Sequence, residues 1–562
     1  MFLFLGFTTE GTAQENFDEL LKQGAALGQR GNYADAVTTL QRASQLEPRN
    51  YAVNLFLGVN LLRSGRPSEA VAPLQVAAEI NSRDGAPEGY LGEAYAAVGN
   101  FAVATEAFQD ATVRSAESEA LWTKWADFAL QRFRILGLQL RTTQAGMATA
   151  LRVEAEGFGK GTQNRVDLLQ RAALANGEQS GVWGELGAEQ LQRGLRDQAA
   201  ASLATARSRQ PEDLWTLRLE ARINAAQGNW QDAQEALLNV GTRSPKVLRE
   251  ELQSWPRDLV PGNDVSSEIW NCLRQGSTEC VARIAFHGDA GSDSEEQVFA
   301  EQRWERLVAI PPPPPGNAPA WFRRGIAHAE LDDCARAIPA LERGLNFGAE
   351  TAAFWLELCY ASEAERAVNH LAALGHQATV HRLRGDMLVR IRDDAKSAIG
   401  EYTQALHVGP GEPGLLERIA QAYASVGDLR QARLAAQKAL SLDPNRPLAL
   451  RLLASLAMDE RDYSGALVFL NRMLLMNPND AWSRVHAGIA DAQTGKPEQA
   501  VAYLQPALAA GYPDERGALH ATLAGVLRKL DREQEAQRAA EEAERLANRF
   551  QRGAQSSFDD HP

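Results

Sequence analysis

From Phe17 onward apolar residues return at helical spacing, in short stretches separated by turn residues, so the pattern predicts helices throughout. Gly24, Gly58 and Gly92 stand 34 residues apart, and that ruler holds over much of the chain. Residues 17–50 carry Leu20, Gly24, Leu27, Tyr33, Ala36, Leu40, Ala43 and Pro48, and residues 51–84 carry Leu57, Gly58, Leu61, Pro67, Ala70, Leu74 and Ala77. Small residues at fixed places let two helices approach to about 8–10 Å. Gly31, Gly65, Gly99, Gly194 and Gly228 fall where a left-handed residue closes a first helix. Pro48, Pro211, Pro444 and Pro478 then stop the second. Each period thus reads as a helical hairpin whose apolar side only a neighbouring hairpin can cover.

A longer period of 233 residues lies over the first. It places Gly92 on Gly325, Trp122 on Trp355, Ala199 on Ala432, Trp230 on Tyr463 and Pro245 on Pro478, so 85–247 and 318–480 read as two copies of a five-hairpin block. Both copies contain a stretch of about 27 residues, 119–145 and 352–378, which reads as a short hairpin opening on a Trp. Arg165 stands where the second copy has Ala398, which predicts looser packing in the first. The expected organisation is an N-terminal array over 17–247 and a C-terminal array over 318–550, in which 481–550 adds two hairpins and a charged capping helix. Between the arrays, 248–317 reads as worn hairpins over 250–286, an acidic loop over 288–296 and the pentaproline spacer 311–315, with a linker insert as the alternative. Residues 551–562 are expected to be a disordered tail.

Residues 180–213, with Trp183, Leu186, Gly187, Ala199, Leu203, Ala206 and Pro211, and residues 413–446, with Leu416, Ala420, Tyr423, Ala432, Ala439 and Pro444, resemble the tetratricopeptide repeat. That resemblance implies an all-α fold, a right-handed α-solenoid of about 13–14 stacked antiparallel helix pairs. It also implies a concave wall lined by the second, fifth, ninth, twelfth and thirteenth positions of each first helix. Near the N-terminus these include Leu21, Leu55, Val59, Leu62 and Arg63; near the C-terminus, Leu448, Arg451, Met458, Trp482, Val485 and Ile489. The Lys and Asn with which some family members grip acidic tails are replaced here by Leu21 with Ala25 and by Leu55 with Val59. What is left is an apolar groove with scattered arginines, suited to an amphipathic helix or an extended apolar peptide.

Composition narrows the partners. With 44% hydrophobic and 23% charged residues the chain is that of an ordered soluble protein, and no apolar run is long enough to span a bilayer. A net charge of -14 opposes the basic face that nucleic-acid binding requires. The segment 1–16 is expected to be a clipped secretory signal cut near Ala13, although no basic region precedes its apolar run; a frayed apolar terminus is the alternative. Cys272 and Cys280 flank a turn-like stretch, and Cys334 begins a second helix that packs against the first helix carrying Cys359. Disulfides Cys272–Cys280 and Cys334–Cys359 are expected in a periplasmic or secreted protein, and four free thiols in a cytoplasmic one.

Catalytic signatures fail one by one. The "GFGKGT" of 157–162 lacks the Ser or Thr after Lys160 that a phosphate loop needs. His328 and Glu330 form an H-x-E without the P-C-x-x-C of a zinc deaminase, and His376 and His381 lack the spacing of a helical metal pair. The carboxylates of 289–296 miss the alternation of a calcium loop. No metal or cofactor is expected. The reading is a non-enzymatic scaffold that binds peptide or helical segments of other proteins. The alternatives are an enzyme whose centre lies in 248–317 or is completed by a partner, and a regulatory or envelope-assembly subunit that senses peptides.

Overall fold

The computed structural model describes residues 16–156, 159–176, 181–262, 265, 267–275, 294–300 and 302–559. Among them there is no strand, and most helices pair antiparallel with their neighbours in sequence, an α-solenoid arrangement. The chain divides into two compact units, Met1–His376 with Arg390–Arg392, and Gln377–Val389 with Asp393–Pro562. The predicted signal segment up to residue 15 lies outside the described residues.

The first unit opens with α1 (Phe17–Gln29), α2 (Tyr33–Leu46), α3 (Tyr51–Arg63), α4 (Pro67–Ile80), α5 (Ala86–Ala97) and α6 (Phe101–Arg114). The small positions act as expected: a β-carbon added to Gly58 would stand 2.4 Å from the Leu74 side chain on the facing helix, so the glycine is the hole into which that leucine fits. Gly31, Gly65 and Gly99 close α1, α3 and α5 with φ near +80°, a conformation that costs a side chain about 1–2 kcal/mol. Next come α7 (Glu119–Leu140), α8 (Gln144–Glu156), α9 (Gln163–Ala175), α10 (Val182–Gln192), α11 (Arg196–Arg209), α12 (Leu214–Gln227) and α13 (Trp230–Arg243).

Arg165 of α9 corrects the expectation of looser packing. The side chain is buried, and its guanidinium binds Glu156 at 2.7 Å, Glu185 at 3.1 Å and Glu189 at 2.7 Å, filling the space an alanine would leave. Burial pushes the Glu185 carboxyl up to about 7, against the pull of Arg152. On Glu156 burial acts the same way but is outweighed by the bonds from Arg165, which leave that carboxyl below the usual range. Removing the arginine would strand buried carboxylates, the costly way to break such a cluster.

The segment after α13 holds α14 (Pro245–Gln253), a 3-10 turn at Arg257–Leu259, α15 (Glu268–Gln275), α16 (Glu295–Ala300) and α17 (Trp304–Ala309). It packs on the preceding hairpin: buried Trp270 stands edge-on to Trp230 at 5.9 Å, and buried Glu251 takes Arg218 and Arg222. The acidic loop is shorter than expected, since Glu295 and Glu296 already form the first turn of α16 and Glu295 binds Arg323 at 3.0 Å. Residues 288–293 lie outside the described residues, as does the 276–286 part of the worn hairpins.

The unit ends with α18 (Ala318–Glu330), α19 (Cys334–Gly344) and α20 (Ala349–Ala373). Here the two expected short hairpins are corrected: each 27-residue stretch holds one long helix, α7 of 22 residues and α20 of 25. Gly137, the one glycine of the two helices, lies in the last turn of α7 and does not interrupt it, and neither helix holds a proline. Each long helix takes the other as its antiparallel mate, so the apolar face that lacks a second helix in its own block is covered by the other block. Trp125 donates to Glu363 at 3.2 Å, and Phe128 stands edge-on to Tyr360 at 5.9 Å. Cys334 and Cys359 form a disulfide that joins α19 to α20. Cys272 is also disulfide-bonded; its expected partner Cys280 lies outside the described residues.

The second unit holds all but the last two residues of α21 (Gln377–Ile391), then α22 (Ala395–Val408), α23 (Pro413–Ser425), α24 (Leu429–Leu442), α25 (Pro447–Asp459) and α26 (Tyr463–Met476). It closes with α27 (Ala481–Gln493), α28 (Pro497–Ala509), α29 (Ala518–Lys529) and α30 (Glu533–Asp559). Ala432, Ala466 and Ala500 are wholly buried at the helix crossings. The tail expected to be disordered from 551 is corrected in part, because α30 continues to Asp559.

Candidate partner-binding surface

In the first unit α1, α3, α5 and α7 lie side by side as successive first helices. Leu21, Leu55 and Leu62 are half-buried against the core formed by Leu40, Leu57, Leu61 and Leu74, with Tyr90 and Tyr95 beside them. Val59 is half-buried and Arg63 exposed. The same register positions one repeat further on are Glu93, Ala96 and Ala97, and one more repeat brings Asp127 and Gln131. Those five residues border a pocket of about 400 Å³, within the size range of ligand sites.

The pocket is built from aromatic rings held by the fold. Phe108 and Phe128 form its floor, with ring centroids 5.0 Å apart, and Phe101 and Ile135 line its side. Gly92 makes room for Phe108, whose ring would lie 2.8 Å from a β-carbon there. Arg132 holds its guanidinium carbon over the Phe101 ring, 3.7 Å from the centroid, and binds Glu342 at 2.8 Å. Lys124 sits 3.8 Å over the Tyr90 ring and is ion-paired with Glu93. Both cations are thereby fixed, and the pocket presents an apolar floor under a polar rim.

The C-terminal residues share a surface of the second unit. Leu448 is exposed, Arg451 holds its guanidinium 4.4 Å over the Trp482 ring, and His486 stacks on the same indole at 4.0 Å. Burial holds the His486 imidazole below its ordinary range. Met458 and Trp482 are half-buried against the core around Leu467 and Leu470, and Ile489 against the next one. Val485 is corrected: it is 1% exposed, inside the core with Leu504, Leu523 and Leu527, because the following hairpin seals over that position. It offers nothing to a partner.

The pocket itself went unmarked in the sequence. Its signal was present in the repeat register, since Glu93, Ala96 and Ala97 occupy the positions of Val59, Leu62 and Arg63 thirty-four residues later. The candidate chemistry stays apart: His328 is buried with Nδ1 3.2 Å from Asp333, while His376 and His381 bind Glu119 and Glu401. Among the described residues no group of His, Cys, Asp and Glu is placed to hold a metal ion, and no helix is long and apolar enough to cross a membrane. Gly157 and Phe158 of the "GFGKGT" stretch lie outside the described residues.

Tetratricopeptide-repeat family models match residues 21–85 and 418–481, and a second such model matches 457–523. Among solved structures the chain is similar to MamA from Desulfovibrio magneticus RS-1, at 21% identity over 31% of this chain and 96% of that one, with a TM-score of 0.28. It is also similar to YrrB, described as a tetratricopeptide-repeat protein with an unusual peptide-binding site, at 15% identity over 34% of this chain and 96% of that one, with a TM-score of 0.30. No curated protein matches the chain.

Proposed function

Because the chain is a tetratricopeptide-repeat protein, we propose that it is a non-enzymatic interaction scaffold that seats peptide or helical segments of partner proteins on its first-helix faces. The observation that carries this reading is the aromatic-floored pocket at the register positions that Val59, Leu62 and Arg63 hold one repeat earlier. A bulky apolar side chain fits its floor, and the polar rim fixes the backbone around it. The Arg451–Trp482 platform is the corresponding contact of the second unit. The acidity of the chain disfavours nucleic acid. We further propose that the protein works outside the cytoplasm, in the periplasm or as a secreted protein, a reading supported by the Cys334–Cys359 bond.

Affinity capture from the native host with the full chain tests the scaffold. Exposed Ala97 stands at the mouth of the pocket, so Ala97→Trp is expected to fill it and reduce recovery of a captured partner by about tenfold or more, with an unchanged melting curve. Equal recovery by both forms would move the contact elsewhere. Turnover in a broad hydrolase screen with no reproducible partner would favour the enzyme reading.

A further inference from the structure

Two helices of the first block, α6 and α7, face two of the second, α19 and α20, and the pairs run antiparallel. Along one pair Glu106 reaches Arg343 and Gln109 reaches Ala335; along the other Trp122 reaches His370 and Phe128 reaches Tyr360. The 233-residue offset makes α19 the counterpart of α6, and α20 that of α7. One surface therefore meets its own copy in the reversed direction, which is the geometry of a two-fold interface. Such a surface pairs equally well with itself unless side chains discriminate.

The polar contacts do not follow the symmetry. Arg132 grips Glu342 at 2.8 Å with both side chains buried, and Arg343 grips Glu106 at 2.7 Å nearer the rim. The counterparts of Glu342, Arg343 and Glu106 are Gln109, Asp110 and Pro339, and that of Arg132 is Glu365, in a stretch of α20 that also carries Glu363. If two first blocks met, Glu106 would face Asp110 on both sides of the axis. If two second blocks met, Glu342 would face Glu363 and Glu365 on both sides. Only the unlike pair sets cation against carboxylate. The buried pair discriminates most, since solvent screens the half-exposed one. Burial raises the Glu342 carboxyl even with Arg132 against it, so without that cation its charge would stand buried and uncompensated.

We propose that Glu106, Arg132, Glu342 and Arg343 are the specificity-determining residues of this surface: the α6–α7 face accepts α19–α20 and rejects another α6–α7, so each chain closes on itself instead of joining like to like. This inference stands whatever partner the scaffold binds. For the test, a cleavage site replaces the pentaproline 311–315 in the full chain. The folded protein is cut there, unfolded, refolded and read by native mass spectrometry. Unlike pairs of the two fragments are expected to exceed like pairs by at least about tenfold. Asp110→Lys turns the repulsion between first blocks into attraction and is expected to raise dimers of the N-terminal fragment. In the uncut chain, Arg132→Glu is expected to speed hydrogen exchange along α7 and α20 by about tenfold or more, and adding Glu342→Arg to slow it again. Like pairs as abundant as unlike ones, or a double exchange that behaves as the single one, overturns the proposal.

Discussion

Glu357 carries its carboxyl into the seam between α7 and α20, where Gly137 leaves space for it; a β-carbon at 137 would stand 2.7 Å from Oε1. That oxygen is buried without a hydrogen-bond partner among the described residues, and burial pushes the carboxyl up to about 8, with Arg141 pulling weakly the other way. The folded pKa lies above the ordinary 4.5, so the native state favours the protonated acid. Its contribution to stability is complete below about 4.5 and is lost as pH rises through 8. Glu357→Gln keeps the shape and removes the ionisation. It is expected to stabilise the protein by ~1–3 kcal/mol at alkaline pH and to make little difference at acid pH, read from denaturant melts at both. A difference from the unsubstituted protein that is the same at the two ends would mean that the carboxyl is solvated in the seam. Nothing around Glu357 in sequence announced this, because the groups that desolvate it come from a helix more than two hundred residues away.

Individual helices were the most legible level. Their ends, their small crossing residues and their left-handed closing glycines are local properties, set by the 34-residue ruler and by steric rules that act within one hairpin. Ala432 of α24 is wholly buried where α23 crosses it, so Ala432→Leu is expected to cost ~1–3 kcal/mol by overpacking, measured as a lowered denaturation midpoint. An unchanged midpoint would count against the register. The two stretches read as short hairpins show the limit. Their apolar spacing fits one long helix as well as a bent pair, and only the mate across the seam selects the straight form. Val485 marks the same limit, since its register position is open in one hairpin and sealed in another according to what packs next to it.

On the scale of the whole molecule, the compact units divide after His376, inside the expected second array, instead of within 248–317. The seam explains this, because α18–α20 of the second block are drawn into the first unit. The Cys334–Cys359 bond lies at that seam, closing a loop of 25 residues between two of its helices. Replacing both cysteines by serine is expected to lower stability by ~2–4 kcal/mol, observed as a shift of the thermal midpoint under non-reducing conditions. Thiol titration of the denatured, non-reduced protein is expected to find no free group; four free thiols would remove the support for export.

The sequence alone determined that this chain is helical, where most of its helices begin and end, and that hairpins stack with a period of 34, because each of these follows from contacts between residues a few turns apart. It also showed the 233-residue offset that relates two of its stretches. The tertiary structure decided what the copies do to each other: that α7 and α20 become mates, that Arg165 is held by three carboxylates, and that Phe101, Phe108 and Phe128 enclose a pocket. The physical reason is range. Periodicity records which face of a helix is apolar, whereas the identity of whatever covers that face depends on segments far along the chain, which the period does not encode.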